Sequence, residues 1–207
     1  MLLSARLPLR NNREAPFEMN PVETALAARL RRGEASAIAA VYTAVHRPLY
    51  RYALAMSGSV ELSEEALQET FVQLIRRPEN FDPARGQLQG FLFGVMRNVL
   101  LKALGRERGE KSNEPLPEES AGIADSHSLP LLEGIEQAER IAAVRAAVLA
   151  LPPHYREVVV LCDLEELNYD AAALVLACPV GTIRSRLNRA RGLLRERLAV
   201  FQQGGAK

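Results

Sequence analysis

The sequence predicts an all-α protein: two small helical domains joined by a flexible acidic linker. Ala, Leu and Arg dominate, aromatics make up 5% and Trp is absent, a bias toward helix over strand. Apolar residues recur every three or four positions on both sides of residues 105–133, and no period is sustained within that stretch. Charge falls into three blocks: residues 1–104 carry 13 basic and 10 acidic side chains, 105–139 carry 3 and 9, and 140–207 carry 10 and 6. The net charge of +1 over 207 residues hides this alternation. It suits two polyanion-facing modules with an acidic connector.

Residues 1–21 read as an irregular extension, and the first domain is expected over 22–104. Leu26 and Leu30, then Ile38, Val41, Val45, Leu49 and Tyr52, keep helical spacing. Gly33 is the expected break between two helices. A third helix is expected from near Ser63, with Leu62, Ala66, Phe71, Leu74 and Ile75 as its apolar stripe. Glu64 and Glu65 sit in its first turn, where the helix dipole favours negative charge. Pro78 should stop it, and the run to Gly86 is too rich in Pro, Asp and Gly to be regular. A fourth helix, about Leu88 to Leu104, is apolar on more than one side, the mark of a helix packed on several sides.

Residues 105–133 are rich in Gly, Ser, Pro and Glu and read as a flexible acidic linker. The second domain is expected over 134–200, with 201–207 as a tail. Ile135, Ala138, Ile141, Val144, Val148 and Leu151 step by threes and fours. Pro152-Pro153 ends that helix and starts the next, from His154 to Leu164. Asn168 is the expected N-cap of a helix to Ala177. After Cys178-Pro179 a last helix should run from about Val180 to Val200. Val158 to Leu161 is β-branched but lies inside a helical stripe.

Several function classes are excluded. Cys162 and Cys178 lack CxxC spacing and read as reduced core thiols. No run of about 18 apolar residues could span a membrane, and the N-terminus is too broken for a secretory signal, so the expected location is the cytoplasm. No Gly-rich phosphate loop, HExxH or GxSxG is present, and His46, His127 and His154 are dispersed; neither an enzyme nor a cofactor is expected.

The last helices carry the strongest pattern. Two short helices joined by a tight turn, the second rich in Arg, follow the helix-turn-helix plan. On the final helix Ile183, Leu187, Ala190, Leu194 and Leu198 share the core face, and Arg184, Asn188, Arg191 and Arg195 point outward. Six Arg stand against one Glu, Glu196. Arg suits phosphate and guanine because its planar fork donates two bonds at once. Thr182, Arg184, Ser185 and Asn188, near the helix start, are placed to reach base edges, with Arg186 and Arg189 flanking them.

The segments Leu151-Pro152-Pro153-His154-Tyr155-Arg156-Glu157-Val158, Leu167-Asn168-Tyr169-Asp170-Ala171-Ala172-Ala173 and Cys178 to Ala190 resemble region 4 of the extracytoplasmic-function sigma factors, within the sigma-70 family. Glu64 to Phe71, Phe81-Asp82-Pro83-Ala84-Arg85-Gly86 and Phe91 to Asn98 resemble region 2 of that class. The resemblance implies a subunit that binds core RNA polymerase, reads the promoter -35 duplex with its second domain and helps melt the -10 element with its first. It implies polymerase contact through Glu65, Gln68, Glu69 and Phe71, with Glu65 standing where the family usually has Asp. It also implies -10 contact through Arg85, Phe91, Phe93, Arg97, Asn98 and Lys102. Charge at Arg85, Arg97 and Lys102 would track phosphate, rings at Phe91 and Phe93 could offer stacking surface, and Asn98 can bond a base edge. Phe91, where the family usually has Trp, also reads as a core aromatic. Promoter DNA and core RNA polymerase are the implied partners, and an anti-sigma factor is a further one. The alternative is a stand-alone dimeric helix-turn-helix regulator, which explains residues 135–200 but not the first-domain motifs.

Overall fold

A computed structural model describes residues 21–110 and 133–203; the expected extension up to residue 20, most of the acidic linker and the last tail residues lie outside the described residues. Helix α1 spans Pro21–Arg31 and α2 spans Ala35–Ser57. Between them Gly33 takes φ +69°, a left-handed turn that Gly adopts without steric cost. Pro48 lies inside α2 without ending it, although Pro removes one backbone bond. Leu49 and Tyr52 beside it are buried, and that packing holds the helix.

Helix α3 spans Val60–Arg76, three residues earlier than the sequence suggests. Ser59 is the cap: its Oγ accepts the Leu62 amide at 3.2 Å. Ser63 is buried and its hydroxyl donates to the Ser59 carbonyl. A single 3₁₀ turn covers Pro78–Asn80, and α4 then runs over Leu88–Glu110, beyond the expected end at Leu104. Its first turn holds no acidic residue of its own. The Glu23 carboxylate of α1 supplies the charge, accepting the Leu88 amide at 3.0 Å.

The second bundle comprises α5 (Glu133–Leu149), α6 (Pro153–Val159), α7 (Tyr169–Leu176) and α8 (Val180–Gln203). After α6 the chain widens into a π-helical turn, Val160–Leu164, so the β-branched run is helical. Such turns are often found at functional sites.

Leu49, Tyr52, Leu74, Leu92, Phe93 and Met96 fill the first bundle, and Leu151, Val158, Leu161, Ile183 and Leu187 fill the second. Each such side chain contributes about 1.5–3 kcal/mol by leaving water. The buried residues form one cluster across both bundles. Helix α7 lies on α4, and α5 and α6 lie against α2. Among the described residues no helix is long and apolar enough to cross a membrane.

Candidate nucleic-acid interface

Helix α7 begins where its sequence says it should: Asn168 Oδ1 accepts the Ala171 amide at 2.7 Å. It ends at Ala177 in a left-handed conformation, φ 49° and ψ 47°. The Cys178 amide closes back on the Ala173 carbonyl at 3.1 Å. That tight turn uses Ala where Gly is normally favoured. Pro179 then starts α8, its carbonyl accepting the Thr182 amide at 2.8 Å.

Ile183, Leu187 and Ala190 anchor α8 in the core. This leaves Arg184, Ser185, Asn188 and Arg189 exposed, with Thr182 and Arg186 half-buried. Ser185 also donates to the Thr182 carbonyl at 3.0 Å, so its hydroxyl is oriented along its own helix. Arg191 is tied down: Asp163 in the π-helical turn accepts its Nε at 3.0 Å and its Nη2 at 2.5 Å. The Asp163 hydrogen bond raises the Arg191 pKa above its ordinary value. Arg191 therefore braces α8 against the π-helical turn. Burial pushes the neighbouring Cys162 thiol up to about 12, with the Asp163 charge adding to it; an unreactive reduced thiol follows.

On α4 the predicted residues separate. Phe91, Asn98 and Lys102 are spaced seven and four residues apart and share one face of the helix. Asn98 and Lys102 are exposed, and Phe91 is half-buried, tilted against Phe81 at 5.6 Å. Arg85 is exposed in the preceding loop, which is fixed by Asp82 accepting the Ala84 amide at 3.0 Å. Phe93 corrects the expectation of an accessible ring: it is 0% exposed and meets Tyr52 edge-on at 5.4 Å. Arg97 lies on another face, where its Nε donates to Glu157 Oε1 at 2.8 Å.

On α3, Glu65 and Gln68 are exposed and Glu69 is half-buried, accepting Gln73 Nε2 at 2.9 Å. Phe71 is a second correction: it is 7% exposed and packs on Tyr42, so in this arrangement it supports the α3 surface from beneath.

The sequence reading missed the polar contacts between the bundles. Glu157 and Glu165 are 6% and 7% exposed. Each meets an arginine of the first bundle: Glu157 meets Arg97, and Glu165 accepts Arg51 Nε at 2.9 Å and Nη2 at 2.6 Å. Burial raises the Glu165 pKa, with Arg51 opposing it. Burial, with the Glu157 charge adding to it, also keeps the Tyr52 phenol protonated. Arg156 donates to the carbonyls of Met56 at 2.9 Å, Leu151 at 3.2 Å and Leu149. Its charge thus sits at the C-terminal ends of α2 and α5, where the helix dipole favours a cation. One signal was present: Glu157 precedes Val160 and Leu161 by three and four positions, which puts a carboxylate on an apolar stripe in need of a partner.

The family model for sigma-70 region 2 matches residues 41–110, and that for sigma-70 region 4 matches residues 141–194. The ECF RNA polymerase sigma factor SigE of Mycolicibacterium smegmatis is 37% identical over 152 residues, covering 73% of this chain and 57% of that protein. SigC of Mycobacterium tuberculosis is 31% identical over 174 residues, covering 83% and 88%. Among solved structures, RpoE bound to the anti-sigma factor NepR from Bartonella quintana matches with TM-score 0.61 and 26% identity, over 77% of this chain and 94% of that one. CnrH in complex with the cytosolic domain of CnrY shares the fold, with TM-score 0.63 at 22% identity, over 86% and 97%.

Proposed function

The chain belongs to the extracytoplasmic-function class of the sigma-70 family, and from that premise we propose how its residues direct promoter-specific initiation by core RNA polymerase. The exposed N-terminal part of α8 enters the -35 major groove. There Arg184 and Asn188 reach base edges, Thr182 and Ser185 add shorter contacts, and Arg186 and Arg189 hold phosphate. The Phe91, Asn98 and Lys102 face of α4, with Arg85 at its entrance, holds the unpaired -10 strand by charge and stacking. Arg97 joins that surface when it is released from Glu157. Glu65, Gln68 and Glu69 on α3 face the polymerase, with Phe71 fixing the helix beneath them.

The chain supplies binding free energy and the polymerase supplies the chemistry, in the cytoplasm where the promoter lies. An anti-sigma factor is a further partner, since the matched RpoE is bound to one. Residues 111–132 connect the domains and can reach at most about 75 Å when fully extended.

The supporting observation is that both sigma regions match in order on one chain and that Arg184, Ser185, Asn188 and Arg189 of α8 are exposed. A stand-alone dimeric regulator would use α7 and α8 alone and leave the region 2 match without a purpose. Run-off transcription with purified core polymerase on promoters of this class tests the reading. Specific transcripts are expected only when the chain is added; absence of both transcript and polymerase binding would refute it.

A further inference from the structure

We propose that α1 clamps the loop between the 3₁₀ turn and α4, with Glu23 and Arg31 as positioning residues that set how selectively the chain reads the -10 strand. This rests on the promoter-reading roles proposed above for Arg85 and for the Phe91, Asn98 and Lys102 face of α4.

The two residues grip opposite ends of one short segment. Arg31 Nη2 donates to the Phe81 carbonyl at 2.9 Å, 50 residues further along the chain. Glu23 Oε2 accepts the Leu88 amide at 3.0 Å, where α4 begins. Glu23, Ala27 and Arg31 recur every four positions, so one face of α1 carries both grips. Ala27 and Leu30, between them, are 1% and 3% exposed and seat that face in the first bundle. Helix α1 precedes residues 41–110, so the match to sigma-70 region 2 assigns it no role.

The grips constrain the reading surface from both sides. The backbones of Glu23 and Arg31 are about 12 Å apart along the helix. The chain from Phe81 to Leu88 could extend to about 23 Å, so it is held short of full extension and bows. Its bend is closed by the Arg85 amide, which donates to the Asp82 carbonyl at 3.0 Å, and Arg85 is exposed at that turn. At one end Glu23 holds the first turn of α4, just ahead of Phe91. At the other, Arg31 holds the backbone of Phe81, whose ring is 1% exposed and tilted on Phe91 at 5.6 Å. Both grips therefore converge on Arg85 and Phe91. A loop ordered before DNA arrives loses little freedom on binding, and a fixed shape favours the bases that fit it over those that do not. Charge at Arg85 and Lys102 attracts any strand alike. The clamp thus acts on discrimination more than on overall attraction.

The test uses the full chain bound to core RNA polymerase and two fluorescent single-stranded oligonucleotides. One carries the -10 strand of a promoter that the wild type transcribes, the other its scrambled sequence, and anisotropy gives both affinities. Glu23→Ala and Arg31→Ala should each lower the preference for the -10 strand by about tenfold, with scrambled-strand binding within about twofold of wild type. Glu23→Gln keeps an acceptor for the Leu88 amide and should recover most of the preference. Arg29→Ala controls for damage to α1 itself: its guanidinium bonds Glu34 and Ser36, not the loop, and this variant should keep the wild-type preference. Where thermal unfolding shows that Glu23→Ala does not fold, Arg31→Ala, which leaves the Glu23 contact to α4 in place, decides. Unchanged preference in either folded alanine variant, an equal loss of scrambled-strand binding, an equal loss in Arg29→Ala, or no recovery in Glu23→Gln would each overturn the clamp. Wild-type protein that yields no transcript with core polymerase would instead refute the sigma reading itself.

Discussion

Removing Arg97 should cost more than removing its partner. At 2.8 Å and an effective dielectric near 20, attraction between the two charges is about 6 kcal/mol, and desolvation offsets most of it. The intact pair therefore contributes little net stability. Its loss is another matter, because Glu157 is 6% exposed. Arg97→Ala leaves that carboxylate buried without a counter-ion and should destabilise the packed state by about 3 kcal/mol at pH 7. Glu157→Gln keeps a hydrogen-bond acceptor and leaves a cation with more access to water, so about 1 kcal/mol is expected. The penalty is bounded, since the molecule can open and rehydrate Glu157. Urea denaturation of Arg97→Ala, Glu157→Gln and the Arg97→Met, Glu157→Met double variant at pH 7 measures these losses. Equal losses from the two single variants would refute the reasoning.

Three further outcomes are expected. Ala177→Gly relieves the left-handed strain of the α7–α8 turn and should stabilise the protein by about 0.5–1 kcal/mol, read as a rise in Tm. The folded chain holds the Glu165 proton more tightly than the unfolded chain, so wild-type stability should fall as pH rises from the unfolded carboxylate pKa through the folded one. Glu165→Gln should flatten that segment of the profile while leaving stability at pH 7 equal or higher, checked by urea midpoints across pH. Arg184→Ala should weaken -35 duplex binding by about 1–3 kcal/mol and relax sequence preference, whereas Arg189→Ala should lower the salt slope with little change in preference; fluorescence anisotropy at several salt concentrations separates the two.

What local chemistry controls was legible. Asn168 capped its helix, Gly33 broke one, and the alternation of Ile183, Leu187 and Ala190 with Arg184, Asn188 and Arg189 placed core and surface correctly, because helical period alone sets those faces. One start was misplaced: Ser59 caps α3, which begins at Val60 and not near Ser63. The start of α4 at Leu88 was placed correctly, but its acceptor, Glu23, lies 65 residues away and could not be read from the local sequence. Phe93 could not be told from Phe91, since both lie on a helix apolar on more than one side and only the position of Tyr52 decides which ring is buried.

The sequence by itself determined the helices, their order, the two-part plan and the arginine face of α8. These follow from period, caps and charge over short stretches of chain. Only the tertiary structure decided that the bundles close on one another, that Arg97 and Arg51 answer Glu157 and Glu165, and that Arg191 is withdrawn onto Asp163. Such pairings join residues 28 to 114 positions apart. A charged side chain carries no mark of its partner until packing removes the water that would otherwise solvate it.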